Sequence, residues 1–297
     1  MSILITGANG LLGQKLVVLL REKGEDFLAT GRGASRIPLE GIRYQSMDIT
    51  NAAETLKVIT AEKPEVVIHT AAMTNVDQCE TDKEGCWLQN VTAVENIVKA
   101  CEASGAFLLH LSTDFIFDGE DGPYDEEAKA NPVSYYGDSK LAAEKAVMAG
   151  KIDWAMARTV LVYGIAFDMS RSNIILWVKK SLEEGKTINV VNDQWRTPTL
   201  AEDLAMGCYL IAKKKAKGIF NISGKDFMNP YQMAIATADY FGLDKSLINE
   251  TDGSKFSQPA KRPPKTGFVL DKAKEVLGYN PHSFEEGIAV LAEQLKK

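Results

Sequence analysis

Tyr136 and Lys140 stand four residues apart in Tyr136-Gly137-Asp138-Ser139-Lys140, so a helix would carry both on one face. A free phenol titrates near pH ~10, too high to exchange a proton readily at neutrality. A neighbouring ammonium favours the phenolate and would lower that value toward a working one. Upstream, an apolar run ends in Leu111-Ser112-Thr113-Asp114. There the Thr113 hydroxyl could hydrogen-bond a carbonyl while Tyr136 protonates the forming alkoxide. Each part has a plainer explanation: Tyr/Lys pairs at this spacing recur in many helices, and hydroxyls often cap strand ends.

At the other end of the chain, Gly7-Ala8-Asn9-Gly10-Leu11-Leu12-Gly13 sets glycines at i, i+3 and i+6 between an expected strand and an expected helix. A pyrophosphate needs close backbone approach, which a Cβ would block, and a helix start offers unpaired N–H groups to an anion. That placement favours a dinucleotide loop; the plainer alternative is a tight turn that only packs helix on strand. The second strand then ends in Thr30-Gly31-Arg32. An acidic residue there would select NAD(H), whereas Arg32 could pair with a 2′-phosphate. NADP(H) is therefore the expected cofactor and NAD(H) the alternative; Arg32 could also be an ordinary surface arginine. Asp48 and Ile49 follow a third short strand, placed either to contact adenine or, with Thr50 and Asn51, to cap a helix.

These groups need a scaffold that brings both ends together. Apolar runs at 3–6, 27–30, 66–70, 107–112 and 154–162 predict strands. Helical periodicity predicts helices at 11–23, 52–62, 84–104 and 134–148. Such alternation implies an α/β fold, a doubly wound parallel (Rossmann) sheet with helices on both faces. After Gly164 the rhythm loosens, with helices expected at 172–184, 201–213, 230–241 and 283–297 and strands at 187–191 and 218–222. The expected division is a dinucleotide-binding domain of 1–164 plus about 199–226, and a smaller α/β substrate domain of about 165–198 plus 227–297.

Composition narrows the partners. The 297 residues carry 34 Lys+Arg against 40 Asp+Glu, a net charge of −6. Nucleic-acid binding needs a basic footprint and is not expected. No apolar run is long enough to span a membrane, and no basic leader precedes the first strand. Cys79, Cys86, Cys101 and Cys208 include no CxxC pair, and His69, His110 and His282 are scattered, so neither a metal site nor a disulfide is expected. A reducing cytoplasm fits best.

Taken together, Gly7/Gly10/Gly13, Ser112-Thr113 and Tyr136/Lys140 resemble the extended short-chain dehydrogenase/reductases over essentially the whole chain. Within them the sequence is most similar to the dTDP-4-dehydrorhamnose reductases, through four segments. Residues 71–80, from Ala71-Ala72-Met73-Thr74 through Asp77 to Cys79-Glu80, resemble their AAxTxVDxAE segment, with Cys79 replacing the usual alanine. Residues 112–119 resemble STDYVFDG, residues 193–199 resemble DQxGxPT, and Arg262-Pro263 resembles a late RP pair.

The resemblance implies Thr113, Tyr136 and Lys140 as catalytic residues in reduction of the 4-keto group of a dTDP-deoxysugar. It implies a cofactor site made of Gly7, Asn9, Gly10, Leu11, Leu12, Gly13, Arg32, Asp48, Ile49, Ala71, Ala72 and Thr74, with Tyr136 and Lys140. Asp77, Thr113, Asp114, Gln194, Arg196 and Arg262 become candidates for the sugar-nucleotide pocket, the two arginines as diphosphate partners. The resemblance also allows a homodimer.

Other activities on this scaffold fit less well. Related dehydratases use Thr-Asp-Glu at the strand end, and here the third residue is Phe115. Epimerases usually lack the Thr-Asp pair and the Gln194 loop. Some reductases bind Mg²⁺ through acidic side chains at a dimer contact; Gln14 and Lys15 offer no carboxylate for that. Arg196 stands where the reductases mostly have glycine, and Thr266-Gly267 follows where a serine is common. Both departures, with residues 230–248, also resemble the regulatory β subunit of methionine adenosyltransferase, an NADP-binding relative that serves as a binding partner.

Overall fold

The computed structural model describes residues 1–168, 173–255 and 258–296; the expected ends of two helices, Ser172 and Lys297, lie outside them. Strands β1 (Ser2–Thr6), β2 (Asp26–Gly31), β3 (Tyr44–Ser46), β4 (Val66–His69), β5 (Phe107–Thr113) and β6 (Trp154–Thr159) come from the first half of the chain. β7 (Val162–Tyr163), β8 (Ile188–Val191), β9 (Thr199–Leu200), β10 (Gly218–Asn221) and β11 (Ile248–Thr251) follow. Seven of them form one sheet in the order β10-β6-β5-β4-β1-β2-β3, every pair parallel. β4 and β5 are buried along their whole lengths, as central strands covered on both faces must be. The strand order reverses beside β1, where open α/β sheets hold ligands outside the carboxyl ends.

Helices cover both faces. On one side α1 (Leu11–Glu22) and α8 (Ala201–Lys214) press Leu16, Leu20, Leu204 and Ile211 toward Ile3, Ile5, Ile68 and Leu109. On the other, α2 (Ala52–Glu62) contributes Val58 and Ile59, while Ile97 and Val147 come from two later helices, toward Leu4, Val67, Leu108 and Met156. Each fully buried side chain of this size contributes about 1.5–3 kcal/mol against remaining in water.

Two expected elements are broken, for identifiable reasons. The stretch 84–104 is not one helix but α3 (Val76–Thr81), α4 (Lys83–Trp87), a π-helical turn at Leu88–Thr92 and α5 (Ala93–Ser104), α3 preceding the expected start. Within the π turn, the Asn90 amide donates to the Met73 carbonyl (3.0 Å) and accepts from the Met73 N–H (2.8 Å), which holds the helix against the loop after β4. The expected strand 154–162 stops at Thr159, because Leu161 adopts φ +35°, and the chain leaves the sheet to pair β7 with β9.

Downstream, α7 (Ile174–Glu183) and α9 (Pro230–Phe241) pack Val178, Leu182, Ala234 and Ala238 on the β8–β11 pair. α10 (Phe284–Gln294) adds Phe284, Ile288 and Leu291 to a cluster with Tyr163 and Ile175. Asn229 and Ser283 start α9 and α10 through reciprocal capping boxes. Between these elements the chain returns to the first sheet as α8 and β10.

Candidate active site

A cleft of about 680 Å³ runs along the carboxyl ends of the central strands, from the glycine loop to Thr113, Tyr136 and Lys140. Gly7 adopts φ +71°, and a Cβ there would lie 2.7 Å from the Ala71 nitrogen. A Cβ on Gly13 would collide with the Gly7 carbonyl and sit 2.6 Å from Ala8 Cα. The loop is thus pressed flat against β1 and the residues after β4. Gly10 precedes α1 without any side-chain cap, so the first turn keeps N–H groups for an anion, with Leu11 and Leu12 lining the cleft.

At the far end lie Arg32, Asp48 and Ile49. Asn9 shapes this end: its amide donates to the Ala34 carbonyl (3.0 Å) and accepts from the Arg36 N–H (2.9 Å). The Tyr44 hydroxyl, 3.0 Å from the same amide, donates to the Gly33 carbonyl. Asp48 Oδ1 accepts from the Thr50 N–H at 2.9 Å and its hydroxyl at 2.8 Å, while Asn51 caps α2. Asp48 therefore takes part in the turn before α2 and lines the cleft too. Arg36 is a lining residue that sequence reasoning missed; the only signal was a second arginine four residues beyond Arg32 in the same loop. The absent Cβ atoms, the uncapped helix and the two arginines fit a dinucleotide carrying a 2′-phosphate.

The end of the cleft that holds Tyr136, Lys140 and Thr113 is built on α6 (Tyr135–Ala149) and the end of β5. Ser134 caps α6, and the Tyr135 N–H donates to the Glu80 carboxylate at 2.7 Å. Gly137 lets the first turn press onto the strand end, since a Cβ there would run into the Phe115 carbonyl. Asn90 donates to Ser139 Oγ at 3.0 Å, tying α6 to the π turn. Tyr136 is buried, with the Phe115 ring edge-on at 5.7 Å. Lys140 Nζ donates to the Leu111 carbonyl at 2.7 Å and lies 3.4 Å from His110 Nε2.

The proton affinities differ from the expectation of a lowered phenol. Burial pushes Tyr136 above its ordinary range, with a hydrogen-bond contribution from Thr113 opposing it. Burial also brings Lys140 down to about 8. In both groups desolvation is the largest influence, disfavouring the phenolate and the ammonium alike. Thr113 Oγ1 donates to Asp114 Oδ1 at 3.1 Å and accepts from the Phe115 N–H at 3.3 Å. Asp114 itself is raised by burial, with Arg196 opposing.

The structure gathers the expected cofactor residues and Thr113, Asp114, Tyr136 and Lys140 around one cleft, including Ala71, Ala72 and Thr74 from the loop after β4. Asp77, Gln194, Arg196 and Arg262 do not line it. Asp77 and Arg262 are bonded to each other at 2.7 and 2.8 Å, and the Ala260 N–H adds a third bond to the same carboxylate. The Arg196 guanidinium is buried and donates to the Trp195, Pro263 and Pro264 carbonyls. Gln194 lies beside Gly253, at the edge of the β8–β11 pair. Among the described residues no cluster of metal-binding side chains occurs, and no helix is long and apolar enough to cross a membrane.

Comparison with known proteins agrees with this architecture. The chain is 34% identical over 250 residues to methionine adenosyltransferase 2 subunit beta of Xenopus tropicalis, covering 82% of this chain and 73% of that protein. It is 30% identical over 289 residues to the probable low-salt glycan biosynthesis reductase Agl14 of Haloferax volcanii, covering 97% and 96%. The crystal structure of dTDP-4-dehydrorhamnose reductase from Bacillus anthracis in complex with NADP superimposes with a TM-score of 0.87, at 26% identity and 99% coverage of both chains. The family model of the RmlD substrate binding domain matches residues 1–297. A cleft with a glycine loop at one end and a Thr/Tyr/Lys cluster at the other, within a chain matched from first residue to last, shows that this protein belongs to the RmlD substrate binding domain family.

Proposed function

We propose that the protein is an NADPH-dependent reductase of the C4 ketone of a deoxysugar nucleotide, converting dTDP-4-dehydrorhamnose to dTDP-L-rhamnose. One observation carries the reading: Thr113, Tyr136 and Lys140 line the same cleft as Gly7, Gly10 and Gly13. NADPH, when bound, supplies the hydride. Tyr136 gives its proton to the developing alkoxide oxygen, a task that suits a phenol held protonated by burial. Lys140 places positive charge beside that phenol and offers an N–H to the cofactor ribose. The Thr113 hydroxyl turns from Asp114 to the ketone oxygen and polarises it. Arg32 and Arg36 take the 2′-phosphate, and NAD(H) serves less well.

The sugar nucleotide belongs at the open side of Thr113, between the sheet and the downstream elements. A dinucleotide-binding unit (1–164 plus about 199–226) and a substrate-binding unit (about 165–198 plus 227–297) are part of the same reading, supported by the return of α8 and β10 to the main sheet. All four cysteines are unpaired thiols, which supports a reducing, cytoplasmic setting. A homodimer is the expected assembly.

The test is NADPH consumption by the purified protein with dTDP-4-keto-6-deoxy-L-mannose. Tyr136→Phe should lower kcat roughly a hundredfold to ten-thousandfold with folding intact. Absence of turnover on any 4-keto sugar nucleotide defeats the proposal. The likeness to methionine adenosyltransferase 2 subunit beta favours a second reading, an NADP-binding regulatory subunit. It requires cofactor binding without turnover, and co-purification with a catalytic partner.

A further inference from the structure

Beneath the floor of the cleft a polar row crosses the sheet. Thr6, His69 and His110 are register partners on β1, β4 and β5 and are all buried. Thr6 Oγ1 lies 2.7 Å from His69 Nδ1, and the His69 and His110 rings stack at 5.4 Å and 25°. The row ends at Lys140, 3.4 Å from His110 Nε2. Among the described residues, His69 Nε2 and His110 Nδ1 have no hydrogen-bond partner. An apolar core would be better served by leucine here, since buried imidazole nitrogens cost free energy unless they are used.

Resting on the reductase reading, we propose that His110 is a positioning residue for Lys140. Its Nε2 lone pair and the Leu111 carbonyl take two of the three ammonium hydrogens and aim the third into the cleft. The imidazole must then be neutral, with its proton on Nδ1. Burial, reinforced by the Lys140 charge, holds His110 well below its ordinary range and so keeps it neutral. A carboxylate in this position would close Lys140 into an ion pair and draw its charge away from the phenol. The carboxylate nearby, Glu144 on the next turn of α6, is already held by Arg158 of β6 at 2.8 and 2.9 Å. The other titratable groups facing Lys140 are Tyr136 on its own helix, Cys86 of α4 and His69 of β4.

The proposal has a signature that a packing role would lack. Removing the acceptor takes stabilisation from the charged lysine, so its titration moves further down and the alkaline limb of the rate profile moves with it. His110→Phe keeps a ring on His69 without the acceptor; His110→Gln restores an acceptor near the same point. In His110→Phe we expect kcat to fall about tenfold above pH ~8, the limb to move about one pH unit toward acid, and KM for NADPH to rise severalfold. His110→Gln should recover most of each. Superimposable profiles for the wild type and His110→Phe would overturn the proposal.

Imidazole ¹⁵N NMR on the wild-type protein decides the matter even where His110→Phe does not fold. His110 should carry its proton on Nδ1 across the working pH range, and a proton on Nε2 overturns the proposal, because that nitrogen could not accept from Lys140. A wild type without turnover defeats the reductase reading instead and leaves the tautomer result standing on its own.

Discussion

Arg196 Nε lies 3.6 Å from Asp114 Oδ2 with both side chains almost wholly buried, directly behind the strand end that carries Thr113. The guanidinium also holds three backbone carbonyls, and Thr266 bonds the same carboxylate oxygen of Asp114. Two loops from the second half of the chain are thereby fastened to the end of β5. A diphosphate partner would need its charge free in the cleft, and here that charge holds the loops in place.

Arg196→Ala should therefore act on folding first. It takes the cation from a buried carboxyl that keeps only its Thr113 and Thr266 hydroxyl donors, and takes from the Pro263 carbonyl its 2.7 Å guanidinium donor, a loss of about 3–5 kcal/mol. Urea melts should show that loss, with kcat lowered and the Kd for NADPH nearly unchanged in the folded fraction. Wild-type stability with a raised KM for the sugar nucleotide would instead return Arg196 to the substrate site.

The Asp77–Arg262 pair is a clasp with a pH limit. Hydrogen bonding from Arg262 holds the Asp77 carboxyl below its usual range, and the Ala260 N–H adds to this. A depressed carboxyl stabilises the fold above its unfolded value, near ~3.9, and that contribution is lost as pH falls through the lower folded value. The pair is partly exposed, so its worth is about 1 kcal/mol. The Tm of Asp77→Asn should lie below that of the wild type at neutral pH, and the gap should close below pH ~4. A gap that persists there would mean the asparagine costs something other than the ion pair.

Cofactor choice should reside in two arginines. Arg36 is tied through its backbone N–H to Asn9, and its guanidinium lies 3.3 Å from Asp168. Arg36→Ala should raise KM for NADPH about tenfold, equivalent to one charge-assisted contact, with little change for NADH. Arg32→Ala should act in the same direction. Equal losses with both nucleotides would remove the 2′-phosphate from the argument.

Two glycines with positions of opposite character separate close approach from backbone conformation. Gly33 sits at φ +72° with open space where a methyl would stand, so Gly33→Ala should cost about 1 kcal/mol through its backbone alone. Gly13 has an ordinary φ, but its methyl would meet the Gly7 and Ala8 backbone. Gly13→Ala should displace the loop and abolish NADPH binding, read by fluorescence titration. Retained affinity would show that the loop can yield.

Much of the site is visible in the chain itself, where function depends on local residue type. The glycine spacing, the strand-end hydroxyls and the Tyr136/Lys140 pair are short-range patterns, and all line the cleft. What escapes are pairings across long separations. Arg262 and Asp77 stand 185 residues apart, and nothing in either segment indicates that each neutralises the other. The π turn is hidden for the same reason, since Asn90 looks like an ordinary helical residue until the loop at Met73 lies beside it. The row of Thr6, His69 and His110 appears only once three strands are in register.

The return of Gly218–Asn221 to the edge of the main sheet has a bearing on any attempt to cut or recombine this protein. A fragment ending near residue 164 would lack both an outer strand and the helix shielding Leu16 and Leu20. Its two halves are consequently not interchangeable cassettes. A transplanted specificity module would have to thread back into its host, seating a residue like Phe220 opposite Ala157, before either half could stand.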